Sequence, residues 1–121
     1  MTLNQAQQLE YIAHLVGECK KCPLYKTATN PVPGDGNPHA KIVFIGEAPG
    51  QQEDLQGLPF VGNSGKLLNK LLSTIEVPRS DVFICNILKH HPPGNRDPLP
   101  EEIKVCVPYL KAQLKIIQPK I

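Results

Sequence analysis

Apolar positions along the chain fall into separate runs whose spacing alternates between that of a helix and that of a buried strand. Leu9, Ile12, Ala13 and Val16 recur at i, i+3, i+4 and i+7, which predicts an amphipathic helix over residues 3–17. Thr2 and Gln5 stand at capping-box separation ahead of it, and Gly17 with the following Cys-Lys-Lys-Cys-Pro stretch closes it. Residues 26–40, rich in Pro and Gly, read as a loop. Lys41–Gly46 is a short apolar run bounded by a Gly/Pro turn, as expected of a buried strand in a parallel sheet. After a second loop, Ser64 and Gly65 open a helix carrying Leu67, Leu68, Leu71, Leu72 and Ile75. Val82–Leu88 reads as another buried strand. Pro100 and two glutamates then start a third helix, with Ile103, Cys106, Val107, Leu110 and Leu114 on one face. Pro108 inside it is expected to bend the helix or loosen one turn.

Helices alternating with strands imply an α/β fold, a three-layer arrangement with helices flanking a parallel sheet joined by right-handed crossovers. Residues 1–121 make a single domain on this reading. Two strands are few for such a sheet, and the closing Gln118-Pro-Lys-Ile121 has the pattern of a third strand beginning. The expectation is therefore a domain that is C-terminally incomplete, truncated before its last strands.

Composition adds modest constraints. Hydrophobic residues make up 40% and charged residues 20% of 121, enough for a packed core. The formal net charge of +2 is compatible with a nucleic-acid partner without indicating one. No apolar run is long enough to cross a membrane, and Met1–Gln8 is polar, so a cytoplasmic protein without a membrane partner is expected, as a monomer. Four cysteines in that compartment serve as ligands or core residues more often than as disulfides.

Four segments carry candidate chemistry. Gly46-Glu47-Ala48-Pro49-Gly50 follows the first strand, and ligands of open α/β sheets bind beyond the carboxyl ends of strands. There Glu47 can activate a water or stabilise a developing cation; otherwise the segment is a tight surface turn. Gly62, Ser64 and Gly65 precede an apolar helix, a place where free N–H groups meet phosphate. Phe60 just upstream offers a face for stacking on a base, or else fills the core. Asn86 is an amide inside an apolar strand, and its paired donor and acceptor suit the edge of a pyrimidine; a structural hydrogen bond is the alternative. Lys89 and Arg96 beyond it are within reach of phosphates. Cys19-x2-Cys22 has metal-ligand spacing, with free thiols as the alternative.

In this order, Cys-x2-Cys-Pro-Leu from residue 19, Gly-Glu-Ala-Pro-Gly-x2-Glu-Asp at 46–54, Pro-Phe-Val-Gly-x-Ser-Gly-x-Leu-Leu at 59–68, Asn-x2-Lys-x2-Pro-Pro-Gly-Asn-Arg-Asp-Pro at 86–98 and Cys-x-Pro-Tyr-Leu at 106–110 resemble the family 4, iron–sulfur uracil-DNA glycosylases across nearly the whole chain. The resemblance implies hydrolysis of the N-glycosidic bond of deoxyuridine in single- or double-stranded DNA, a base-excision repair step in which the nucleotide is flipped into a pocket. It assigns the water or sugar cation to Glu47, the uracil stack to Phe60 and the uracil edge to Asn86, with the Gly46–Gly50 backbone, including Ala48, lining the pocket. A 4Fe–4S cluster is also implied, held by Cys19, Cys22 and Cys106, with His90 where the family has its third cysteine. Iron through imidazole, a Cys3His zinc site and loss of the metal are the three alternatives there. Cys85, adjacent to Asn86, should point the other way, into packing.

The family's late His-Pro motif has no match among His14, His39, His90 and His91. Little or no glycosylase activity is therefore expected of these 121 residues alone. A non-catalytic, metal-stapled homologue that binds DNA or a protein is the competing expectation, and a relative with another damaged-base preference is a third.

Overall fold

The computed structural model describes residues 2–121 and has helices α1 (Gln5–Gly17), α2 (Leu24–Thr27), α3 (Gln51–Gln56), α4 (Asn63–Thr74) and α5 (Pro100–Ile117) around strands β1 (Asp35–Gly36), β2 (Val43–Gly46) and β3 (Phe83–Asn86). The sheet order is β1-β3-β2. β2 and β3 run parallel, pairing Val43 with Phe83 and Gly46 with Asn86. The expected α/β layering is present, and both apolar runs form strands.

Alternation along β3 sends its side chains into two different cores. Phe83 and Cys85 pack with Ala40, Leu110 and Ile117, under α5 and the half-buried Leu9 of α1. Val82 and Ile84 pack with Leu68 and Leu72 of α4 on the opposite face. Cys85 accordingly points into packing and away from Asn86, as strand geometry requires. A third cluster, Val16, Leu24, Leu88, Cys106 and Tyr109, joins α1, α2 and α5 beyond the end of β3.

Several local expectations are corrected. The N-cap of α1 is Asn4, whose side chain accepts the Gln7 N–H while the Gln7 side chain accepts the Asn4 N–H; Thr2 and Gln5 do not form the box. Within the 26–40 loop, β1 pairs antiparallel with β3, so the sheet is mixed. Only Leu68 and Leu72 of the α4 apolar residues are buried, whereas Leu67, Leu71 and Ile75 are exposed. The buried face of α5 is Glu102, Cys106, Tyr109, Leu110, Gln113 and Ile117, polar members included. That helix continues through Pro108. Lys104 and Pro108 both face solvent, so water can satisfy the carbonyl that the proline leaves without a donor.

Helix α3 lies in the segment expected to be a loop, and its polarity is inverted: Glu53 and Asp54 are buried and Leu55 is exposed. Apolar periodicity cannot reveal such a helix. At the other end of the chain, Ile121 N–H donates to Lys41 O and Val43 N–H donates to Ile121 O. This is the bonding of a parallel neighbour on the free edge of β2. Among the described residues no helix is long and apolar enough to cross a membrane.

The core assignment of α4 is checkable. Leu72→Ala should cost about 2–5 kcal/mol in urea unfolding, and Leu71→Ala, on the exposed face, should stay within about 0.5 kcal/mol.

Candidate functional site

The parallel pair ends with Gly46 beside Asn86, and a cavity of about 430 Å³ opens there. Its lining includes Gly46, Glu47, Ala48, Phe60, Ser64, Asn86 and Arg96, so the residues singled out on separate motifs converge on one place. Gly46 is confined on two sides: a Cβ there would collide with Asn86 Oδ1 and lie 2.7 Å from the Phe60 ring. The missing side chain is what lets the amide and the ring share that corner. The Asn86 side chain has no hydrogen-bond partner among the described residues, although it is buried. A buried amide without an internal partner is costly, and here its polar atoms border the cavity, where water or a ligand can meet them. Glu47 stands exposed at the rim.

Three contacts hold the walls. Phe60 has a left-handed backbone, φ 52°, uncommon for an aromatic residue. Gly65 packs so closely beneath it that a Cβ would overlap Phe60 O. The Glu53 carboxylate accepts N–H groups from Gly50 at 2.9 Å, Val61 at 3.0 Å and Gly62 at 2.7 Å. His91 Nδ1 lies 2.7 Å from Pro49 O, tying the loop after β3 to the Gly46–Gly50 turn. Glu53 and His91 were missed as site-building residues. Glu53 stands in capping relation to Gly50, but nothing in the sequence marks its bonds to Val61 and Gly62, and nothing marks His91 at all.

The phosphate assignments change. Lys89 is fully buried, 0% exposed, with Nζ donating to Asn86 O and Gln113 Oε1, both at 2.8 Å. It cannot reach a phosphate, and burial lowers its pKa. It sits in the core because its stem follows the β3 end inward, where Gln113 and a backbone carbonyl supply acceptors. Arg96 lines the cavity but is engaged: Nη1 and Nη2 donate to the two Glu102 oxygens at 2.9 and 2.7 Å, and Nη1 also to Asp97 O at 3.1 Å. The Gly62 N–H goes to the Glu53 carboxylate rather than to a phosphate. Ser64 remains exposed in the first turn of α4, on the cavity.

The cysteine region lies beyond the other end of α1. Cys19 and Cys22 pack against the cluster that contains Cys106. Cys106 Sγ accepts the Lys89 N–H at 3.2 Å. Burial pushes the Cys106 thiol up to about 11 and also raises Cys22, so these sulfurs are protonated at neutral pH in the absence of a metal. His90 is buried, lines a cavity of about 190 Å³ with Cys19, and its ring makes no hydrogen bond among the described residues. Burial lowers its pKa, against an opposing pull from Asp54. Among the described residues no three of His, Cys, Asp or Glu converge closely enough to hold a single metal ion.

Glu102 caps α5 by accepting the Leu99 N–H at 2.8 Å while paired with Arg96. The Arg96 hydrogen bond chiefly, with the Leu99 N–H, holds its carboxyl below the ordinary 4.5. A depressed carboxyl stabilises the fold above its unfolded pKa and loses that contribution as pH falls through the folded value. Glu102→Gln keeps an acceptor for the Leu99 N–H but loses the charge paired with Arg96, and should therefore be less stable at pH 7 by up to about 1 kcal/mol. In urea titrations from pH 7 to 2, its difference from the unsubstituted chain should shrink below pH 4.5.

A family model described as the uracil DNA glycosylase superfamily matches residues 33–121. A type-4 uracil-DNA glycosylase of Archaeoglobus fulgidus is 53% identical over 115 residues, covering 95% of this chain and 58% of its own. The type-4 enzyme of Saccharolobus solfataricus is 53% identical over 114 residues, covering 93% and 53%. That of Thermotoga maritima is 47% identical over 118 residues, covering 98% and 62%. The chain thus spans 53–62% of the length of these curated relatives.

Proposed function

Because the chain belongs to the uracil DNA glycosylase superfamily, we propose that it carries the base-binding wall of a type-4 uracil-DNA glycosylase, acting on DNA as a cytoplasmic monomer. The observation that carries this reading is the corner at Gly46, where a stacking ring and an unpartnered amide meet beside a carboxylate in one cavity. A flipped uracil needs a face and an edge contact. Phe60 supplies the face. The Asn86 amide accepts from the uracil N3–H and donates to O4, a pattern that cytosine reverses. Glu47 at the rim lies toward the sugar. As the N-glycosidic bond breaks, positive charge develops on the sugar, and a fixed carboxylate stabilises it while orienting the water that adds to C1′.

Binding separates these roles without requiring turnover. A single-stranded oligonucleotide with one deoxyuridine should bind more tightly than its deoxycytidine counterpart, read by fluorescence anisotropy. Phe60→Ala should cost about 1–3 kcal/mol, and Asn86→Ala should abolish the discrimination. Glu47→Gln should leave uracil binding near normal. It should weaken binding of a cationic pyrrolidine abasic analogue about tenfold, because its carboxylate acts on charge present only in the transition state. Equal affinity for the two oligonucleotides in the unsubstituted chain would overturn the reading.

We assign the cysteine region to a 4Fe–4S cluster held by Cys19, Cys22, Cys106 and His90. Several features support it: the shared cluster of the three thiols, the N–H donated to Cys106 Sγ, and a His90 ring free of hydrogen bonds beside Cys19. Three thiols and an imidazole suit an iron–sulfur cluster as well as a single zinc, and the resemblance of the Cys-x2-Cys and Cys-x-Pro-Tyr-Leu motifs to the iron–sulfur glycosylases favours the cluster. Bound there, the group would cross-link the end of α1, the segment after β3, and α5. Anaerobically prepared protein should contain iron and acid-labile sulfide, and His90→Cys should retain them longer. Stoichiometric zinc instead, or no gain in retention, would count against the assignment.

A further inference from the structure

The Glu53 carboxylate is buried, belongs to a helix of inverted polarity, and is surrounded by backbone N–H groups rather than by a cation. Oε1 accepts from Gly50, on the turn that carries Glu47; Oε2 accepts from Val61 and Gly62, on the loop that carries Phe60. Gly50 and Gly62 are also the N-caps of α3 and α4, so one negative charge faces the positive ends of two helices. On the other flank of Phe60, Arg79 Nη2 donates to Pro59 O at 2.7 Å and Nη1 to Asn69 Oδ1 at 2.8 Å. The left-handed Phe60 is thus pinned from both sides, and strained backbone persists only where its surroundings hold it.

We propose that Glu53 is a positioning residue: it sets the spacing between the rim carboxylate and the stacking ring by clamping their two loops together. Its relevance to base recognition rests on the reading of Phe60 as the uracil stack, whereas the clamp itself can be tested without DNA. No neutral side chain can do the same work. A glutamine offers one acceptor oxygen, and its amide hydrogens would confront N–H donors.

The chain has three phenylalanines, Phe44, Phe60 and Phe83, so fluorophenylalanine labelling gives three ¹⁹F resonances. In Glu53→Gln the Phe60 resonance should shift or broaden more than the other two. The affinity for the deoxyuridine oligonucleotide should fall about tenfold. On a Phe60→Ala background the same substitution should change affinity less than twofold, because the positioned group is already gone. Glu53→Asp, which keeps the carboxylate, should restore part of both signals, and it serves as the test variant if Glu53→Gln does not fold. An unmoved Phe60 resonance, equal shifts of all three, or additive losses in the double variant would overturn the proposal. If the unsubstituted chain binds the deoxyuridine and deoxycytidine oligonucleotides equally, the uracil reading fails, and the ¹⁹F arm still decides whether Glu53 is a clamp.

Discussion

The parallel register of β2 and β3 sets Gly46 beside Asn86, and the candidate site depends on that pairing. A shift of one residue would turn the β3 side chains over and carry the amide into the α5 core. Register in turn is held by burial on both faces: Phe83 and Cys85 on one side, Val82 and Ile84 on the other. Two apolar cores therefore aim a single polar residue at the strand end, where the sheet stops and a cavity begins. The tight approach at Gly46 follows from the same pairing, since the ring and the amide occupy the space that any side chain there would need.

Buried polar groups organise what lies beyond the strands. Helix α3 turns its adjacent carboxylates inward. Glu53 binds the loops of the cavity, while Asp54 accepts the Thr29 and Asn30 N–H groups at 2.8 and 3.1 Å, fixing the loop that lines the Cys19–His90 cavity. Lys89 has a comparable double attachment. Its backbone N–H reaches Cys106 Sγ and its ammonium reaches Asn86 O, so the cysteine region and the base-reading strand end are joined by one residue. Burying such groups is unfavourable unless each finds a partner. Every side-chain nitrogen or oxygen sealed from solvent among the described residues has one, and the Asn86 amide and His90 ring, which have none, border cavities instead. The two regions are thus built on shared scaffolding.

Much of this was legible from residue order. Short apolar runs at 41–46 and 82–88 marked both strands, but only β3 is buried throughout. Strand β2, expected to be buried, is half-buried with Ile45 exposed, because its outer edge and one face are open to solvent. The helical spacing of Leu9, Ile12, Ala13 and Val16 marked α1. Glu47, Phe60 and Asn86 were identifiable as chemistry in unlikely surroundings, and they do line one cavity. Helix α3 was hidden, because its buried positions are charged, and so was β1, because a two-residue Asp-Gly strand carries no pattern.

By itself the sequence determined the order of the three long helices and two parallel strands, the superfamily motifs and the identity of most groups around the cavity, since these depend on local spacing and side-chain type. Only the tertiary structure decided which charges are available. Lys89 and Arg96 look alike as basic residues in a loop, yet one is enclosed by Asn86 O and Gln113 and the other is paired with Glu102. Likewise Glu47 and Glu53 are both acidic residues near a glycine turn, and only the fold leaves the first at the rim and surrounds the second with three backbone donors. The reason is that solvation and hydrogen-bond partners are properties of the packed chain. Partners distant in sequence supply them, and no local spacing encodes their approach.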